Sequence, residues 1–242
     1  MKRLIDVFVS FTGLLFGAPF LIIFMFLVYR QDKHSPFYIA PRIGKGGKPF
    51  NMVKLRSMSI NADRSGVDST SADDARITPI GEIIRKYKLD EFTQLFNVLV
   101  GDMSLVGPRP NVKKGGTDLY TSTENRILSI KPGITDFSSI IFSDEGNILL
   151  GKKDPDLSYN QLIRPWKSRL ALVYIEHHSI LLDLKIIFYT LVAIISKKRS
   201  VKWVCGMLKQ FNVDQEIIKI AKRDTDLYPF PPPGSDEIVR SI

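Results

Sequence analysis

The chain has 242 residues, 34 basic against 25 acidic for a formal net charge of +9, and an apolar fraction of 44%. Length and composition argue against a disordered chain and allow one sizeable domain with appendages. The charge points to anionic partners, whether nucleic acid, phosphorylated small molecules or an acidic membrane surface. Cys205 is the only cysteine, which excludes an internal disulfide framework and a cysteine-built zinc site and fits a reducing compartment.

From Val7 to Tyr29 the chain carries no charge. As a helix this run extends roughly 35 Å, enough to insert in a bilayer. No small-residue cleavage pattern precedes Arg30-Gln31-Asp32-Lys33, which argues against a removable signal peptide. Pro19 removes a backbone hydrogen bond in the middle of the run, so a break is expected there. Basic residues flank both ends, Lys2 and Arg3 before and Arg30, Lys33, Arg42, Lys45 and Lys48 after, which places both ends on one side of the membrane. A kinked re-entrant helical hairpin, dipping into one leaflet and returning, satisfies both observations; a single spanning helix with a proline kink is the alternative.

Ser35–Ala40 and Met52–Met58 read as two short strands around the glycine-lysine turn Gly44–Phe50. Lys54 and Arg56 alternate with Val53 and Leu55, so both cations project from one face, either to bind phosphate or to solvate the sheet. Residues 61–75, rich in Ser, Asp and Gly, read as a mobile loop able to cover a site, with Asp73 and Asp74 solvated. Thr78 and Pro79 predict a helix start, and Ile80, Ile83, Ile84 and Tyr87 share one of its faces. A second helix is predicted over roughly Asp90 to Val100, burying Phe92, Leu95, Phe96 and Leu99 and ending at Gly101.

That second helix opens on adjacent carboxylates, Asp90 and Glu91, and is followed by Arg109 between Pro108 and Pro110. An acidic pair at a helix N-terminus is often no more than a macrodipole preference. Here Lys54, Arg56, Arg85 and Arg109 supply candidate cations around it, and a carboxylate attacking a phosphate needs such cations and usually a divalent metal. Oxygen ligands of this kind suit magnesium.

Several segments, taken together, resemble the bacterial sugar transferases that move a hexose-1-phosphate onto a polyprenyl phosphate, the monotopic phosphoglycosyl transferases of surface-polysaccharide and glycoconjugate assembly. The segments are Lys2-Arg3-Leu4-Ile5-Asp6 with the apolar run, Lys54-Leu55-Arg56-Ser57-Met58, Leu89-Asp90-Glu91, Gln94–Leu99, Gly101–Pro110 and Lys131-Pro132-Gly133-Ile134-Thr135. The resemblance implies a re-entrant helix, broken at a Ser-Pro pair in the family and at Ala18-Pro19 here, that seats a catalytic domain on the cytoplasmic face of the bacterial inner membrane. It also implies that Asp90 attacks the β-phosphate of a nucleotide sugar, usually a UDP-sugar, releases UMP, and carries the phospho-sugar until undecaprenyl phosphate collects it. By the same likeness Glu91 assists with Mg2+ or proton handling, both carboxylates are candidate Mg2+ ligands, and Lys54, Arg85 and Arg109 bind substrate phosphate, with Arg56 ranked below them. Asn97 and Asp102 are explained equally well as helix-end hydrogen bonders. Thr135–Ile140 departs from the tryptophan-containing pattern of many members, which leaves the sugar open, and the chain resembles the minimal catalytic form without further spanning helices.

The expected fold class is α+β, a mainly helical membrane-associated domain with a small β element. Residues 1–33 form the membrane helix, 34–205 the cytoplasmic-face catalytic domain, and 206–242 a C-terminal extension. Ser158–His177 reads as a core helix interrupted at Pro165, with no chemistry visible. Ser179–Ser196 leads into Lys197-Lys198-Arg199-Ser200-Val201-Lys202-Trp203, suited either to anionic lipid of the inner leaflet or to packing on the domain with a solvated tip. His177 and His178 have no companion ligands, and the proline-rich tail reads as extended or disordered. The leading function is sugar-1-phosphate transfer from a UDP-sugar to undecaprenyl phosphate, as the first membrane step of polysaccharide or glycoconjugate synthesis upstream of further glycosyltransferases. The alternative is a non-catalytic membrane scaffold or polyprenyl-phosphate-binding protein. Nucleic acid is disfavoured, because no binding module accompanies the charge.

Overall fold

The computed structural model describes residues 1–241, apart from the side chains of residues 64 and 65. It is an α+β structure. The elements in chain order are α1 (Lys2–Asp32), β1 (Phe37–Ile43), β2 (Pro49–Leu55), α2 (Pro79–Lys86), α3 (Leu89–Phe92), α4 (Leu95–Val100), β3 (Ser104–Val106), β4 (Gly133–Thr135), α5 (Phe137–Ile141), α6 (Glu145–Ile148), α7 (Pro155–Leu162), α8 (Arg164–His177), α9 (Ile180–Ile195), α10 (Lys197–Gln210) and α11 (Gln215–Lys222).

The apolar run forms one helix, α1, that continues through Pro19. The chain does not turn back there as a hairpin: the proline costs one backbone hydrogen bond, while packing holds the helix on both sides of it. Gly13 lies against Leu95 and Gly17 against the Phe92 ring, where an added Cβ would come within 2.9 Å and 2.1 Å of those side chains. Both ends are tied to the same domain. At the N-terminal end Lys2 Nζ pairs with Asp183 at 2.6 Å and donates to Val106 O at 3.0 Å. Asp6, buried, accepts from Leu105 N at 3.0 Å and Ser104 Oγ at 3.1 Å, and Arg3 donates to the carbonyls of Val98 and Leu99 at the end of α4. At the other end Val28 packs with Leu55 and Ile84, and Asp32 takes a two-pronged pair from Arg56, which also donates to Ser35 O. The face turned away from the domain leaves Phe8, Phe16, Phe20, Ile23 and Phe26 exposed, an apolar surface too large for water to favour.

β1 and β2 pair antiparallel with Tyr38 opposite Lys54, the expected hairpin. Lys54 and Arg56 do not share a destination. The strand ends at Leu55, and Arg56 turns to Asp32. The expected single helix over 90–100 is two, α3 and α4, separated at Thr93–Gln94; Thr93 Oγ1 donates to Val53 O at 3.0 Å, tying the junction to β2. Thr93, Gln94, Asn97 and Val98 are buried there, Phe92, Leu95 and Leu99 are half-buried, and Phe96 stays exposed.

β3 and β4 form a parallel pair that joins the Gly107-Pro108 and Pro132-Gly133 segments at backbone distance. Gly133 N donates to Pro108 O at 2.9 Å, and a Cβ on Gly133 would lie 2.1 Å from Gly107 N. Around this pair α5, α8, α9 and α10 enclose the main core, with Phe137, Ile140, Trp166, Leu170, Ile186 and Leu208 among its buried residues. A buried Arg164–Glu124 pair, joined by Ser168 and Asn160, anchors α8. The interruption expected at Pro165 falls at Ile163, between α7 and α8.

Two segments are more ordered than their composition suggests. Residues 61–75 wrap around Arg76, which donates to Val67 O at 2.8 Å and pairs with Asp74 at 2.6 Å, so Asp74 is not merely solvated. The loop then docks on α6 and α7 through Ala72 N to Gly146 O and through Asp68 N and Ser69 N to Asp156. The tail is extended but fixed: Phe230 stacks 4.4 Å from Trp166, its N–H donates to Gln161 O, and Arg169 donates to Pro231 O.

Gly133→Ala is expected to destabilise the domain by about 1–3 kcal/mol through backbone displacement, a fall in Tm of roughly 2–12 °C for a chain of this size. Thermal denaturation in detergent measures it, and an unchanged Tm would contradict the close approach of the two segments.

Candidate functional site

The site is assembled by short-range geometry around β2. Thr78 caps α2 by accepting from Gly81 N at 3.0 Å, with Pro79 in the first turn, and the helix carries Arg85 to Ser57, whose Oγ accepts from Arg85 Nε at 3.0 Å. Lys88 then takes a left-handed conformation at φ 57, uncommon for a residue with a side chain. This single residue turns α2 into α3 and places Asp90 and Glu91 in the first turn of the latter. Asn97 fixes the distance to the hairpin: its side chain accepts from Val53 N at 2.8 Å and donates to Asn51 O at 2.7 Å. With Thr93 on Val53 O, both backbone groups of the residue before Lys54 are held by the α3–α4 unit.

Lys54, Arg85 and Arg109 lie within electrostatic reach of Asp90, and Arg109 contacts Glu91 directly. Arg109 Nη1 stands 2.9 Å from Glu91 Oε1, with side-chain exposures of 33% and 18%. Arg56 stays at the end of α1, and Asn97 acts as a hydrogen bonder. Residues the sequence reading passed over add to the surroundings: Arg42 on β1, Lys88, and a polar group of Glu145, Tyr159 and Lys167 from α6, α7 and α8. Glu145 and Lys167 form an ion pair. No local signal marks Lys167, because the same helix also carries Arg164, Ser168, Arg169 and Glu176.

The two carboxylates are pushed in opposite directions. Burial raises Asp90 above the ordinary carboxylate range, Glu91 adds to the rise, and Lys54, Arg109 and Arg85 offset only part of it. Burial also acts on Glu91, but Arg109, Lys88 and Lys54 outweigh it and hold that carboxyl low. Glu91 in turn raises Arg109, while burial and the charge of Arg109 push Lys54 down to about 8. Arg109 contacts one oxygen of Glu91, and Asp90 is left the more basic of the two carboxylates.

Among the described residues no group of three or more His, Cys, Asp or Glu is arranged to hold a metal. Asp90 and Glu91 supply carboxylate oxygens only, and Mg2+ typically takes one or two carboxylates and completes its shell with water and substrate phosphates. The donor set fits that mode.

Comparison with known proteins agrees with the geometry. The chain matches the bacterial sugar transferase family over residues 1–197. It is similar to the UDP-glucose:undecaprenyl-phosphate glucose-1-phosphate transferase of Klebsiella pneumoniae, 34% identical over 78% of this chain and 39% of the relative. It is similar also to the undecaprenyl-phosphate glucose phosphotransferase of Komagataeibacter xylinus, 36% identical over 78% of this chain and 35% of that protein. The exopolysaccharide production protein PSS of Rhizobium leguminosarum bv. phaseoli is 35% identical over 83% of this chain and 98% of its own length. The chain thus spans well under half of the two larger relatives and nearly all of the third. A match over residues 1–197 of 242 places the chain in the bacterial sugar transferase family, to which it belongs.

Proposed function

We propose that the protein transfers a sugar-1-phosphate from a UDP-sugar to undecaprenyl phosphate through a covalent intermediate on Asp90, at the cytoplasmic face of the bacterial inner membrane. The observation that carries this reading is the division within the dyad: Glu91 is clamped by Arg109 at 2.9 Å, while Asp90 lies among Lys54, Arg85 and Arg109 with its basicity raised.

In the first half-reaction a carboxylate oxygen of Asp90 attacks the β-phosphorus of the donor. The new O–P bond forms as the bond from that phosphorus to the bridging oxygen breaks, and the electron pair leaves with UMP. In the second, a phosphate oxygen of undecaprenyl phosphate attacks the same phosphorus, the Asp90–phosphorus bond breaks, and the carboxylate is regenerated. Attack by an anion on an anion requires positive charge at the phosphoryl oxygens, which Lys54, Arg85 and Arg109 supply. An incoming diphosphate favours the charged form of Lys54. Mg2+, held by Asp90 and Glu91, would add charge neutralisation at the diphosphate. Removing Glu91 would leave Arg109 without the acid that orients it.

The membrane reading rests on α1. One domain holds this helix at Lys2 and Asp6, along Gly13 and Gly17, and at Asp32, so both ends belong on the domain's side of the bilayer, and the outward face of Phe8, Phe16 and Phe20 enters the lipid from that side. Monotopic insertion of this kind is what lets a site on the domain take both a lipid phosphate and a soluble nucleotide.

Asp90→Asn is expected to abolish UMP release from the UDP-sugar that supports it, assayed with Mg2+ and undecaprenyl phosphate, while the protein still partitions with membranes; retained turnover would remove the covalent mechanism. Arg109→Ala is expected to lower kcat/KM by about 10²-fold or more, and a loss under threefold would contradict its role as clamp. Cysteines placed before Met1 and at Ser35 are both expected to react with an impermeant thiol reagent from the cytoplasmic side alone. Labelling of the two sites from opposite sides would establish a spanning helix.

A further inference from the structure

Glu145, Lys167 and Tyr159 make a polar group beside the dyad that the transfer chemistry leaves unused. Glu145 opens α6, its Oε2 in ion-pair contact with Lys167 Nζ on α8. Lys167 Nζ also stands 5.3 Å over the Tyr159 ring on α7. Lys167 is 15% exposed and Glu145 32%, so the carboxylate is the open end of the pair. The loop over residues 61–75 closes on the same helix, with Ala72 N donating to Gly146 O at 3.0 Å. Glu145 lies within electrostatic reach of Arg109 and Lys88, the cations that act on Glu91.

The charge of this group selects what it can face. The attacked phosphorus of the donor bears two neighbours, an uncharged hexose and the anionic α-phosphate. A carboxylate repels the second and accepts hydrogen bonds from the hydroxyls of the first. Lys167 occupies one oxygen of Glu145 and fixes the side chain, and the other oxygen has no hydrogen-bond partner among the described residues.

We infer that Glu145, held by Lys167 and backed by Tyr159, is a specificity-determining residue that accepts a hydrogen bond from a hexose hydroxyl of the donor. The inference rests on the transferase reading of the site. A hydrogen bond to a charged group contributes about 1.5–3 kcal/mol, or at least about tenfold in discrimination.

The test uses the full chain in detergent with undecaprenyl phosphate and Mg2+. UMP release is measured from UDP-glucose, UDP-galactose and their 2-acetamido counterparts, then from the 3-, 4- and 6-deoxy forms of the best donor. The native chain is expected to lose at least about tenfold in kcat/KM with one deoxy donor. Glu145→Gln should bring the intact donor down to about that level and leave the deoxy donor within about twofold. Glu145→Asp keeps the charge near Arg109 but withdraws the oxygen, so it should not restore discrimination. Equal losses on every donor, or full rescue by Asp, would overturn the inference and assign Glu145 to the electrostatics of Arg109. Should either variant fail to fold, Lys167→Gln, which frees the carboxylate, is expected to blunt the same discrimination, and unchanged discrimination in it would also overturn the inference. Release that is indifferent to every deoxy position removes the inference alone. No release above the Asp90→Asn control with any of the four intact donors removes the transferase reading, and the inference with it.

Discussion

Two adjacent carboxylates in a partly buried site are unstable together unless cations neutralise them, and much of the local fold serves that requirement. Lys54 comes from a hairpin, Arg85 from the helix before the dyad and Arg109 from the turn after β3. Each is brought in by a separate device: the pairing of β1 with β2, the Thr78–Pro79 start of α2, and the proline lock beside Gly107. Charge balance alone would leave the carboxylates equivalent. Direct contact of Arg109 with Glu91 breaks the symmetry and leaves Asp90 the more basic partner.

The same economy governs α1. A helix with so much exposed apolar surface would slide or rotate on a domain if only hydrophobic contacts held it, because such contacts are non-directional. Directional bonds set its register instead: Lys2, Arg3 and Asp6 at one end, Asp32 with Arg56 at the other. Arg3, by bonding the last carbonyls of α4, links the membrane helix to the helix that follows the dyad. The depth at which α1 settles in lipid therefore sets the height of the site above it.

Local signals in the sequence were sufficient where a single residue type dictates local geometry. The start of α2, the hairpin and the end of α4 at Gly101 follow from capping and alternation, whereas the selection of Lys54, Arg85 and Arg109 beside the dyad came from the family resemblance. Features decided by distant partners were not legible. Arg56 looked like the twin of Lys54 until Asp32, at the end of the membrane helix, claimed it. The helix after the dyad splits because Thr93 finds Val53 O, and Phe96 faces outward because Asn97 takes the buried position to bond β2. Composition reads the 61–75 loop as mobile and the proline-rich tail as extended or disordered, yet Arg76 and Trp166 fix them through contacts that no short window contains. Glu145 and Lys167 are far apart in the chain from each other and from Arg109, so their convergence required the fold.

The claim on which the rest depends is that Asp90 itself carries the phospho-sugar. Incubation of the purified protein with its UDP-sugar and Mg2+ in the absence of undecaprenyl phosphate, followed by intact-mass and peptide mass spectrometry, tests it directly. A covalent route predicts one sugar-phosphate adduct on the peptide containing Asp90, formed together with UMP and discharged when undecaprenyl phosphate is added. UMP formed only in the presence of acceptor, with no adduct under any condition, would contradict it and require direct transfer between the two substrates.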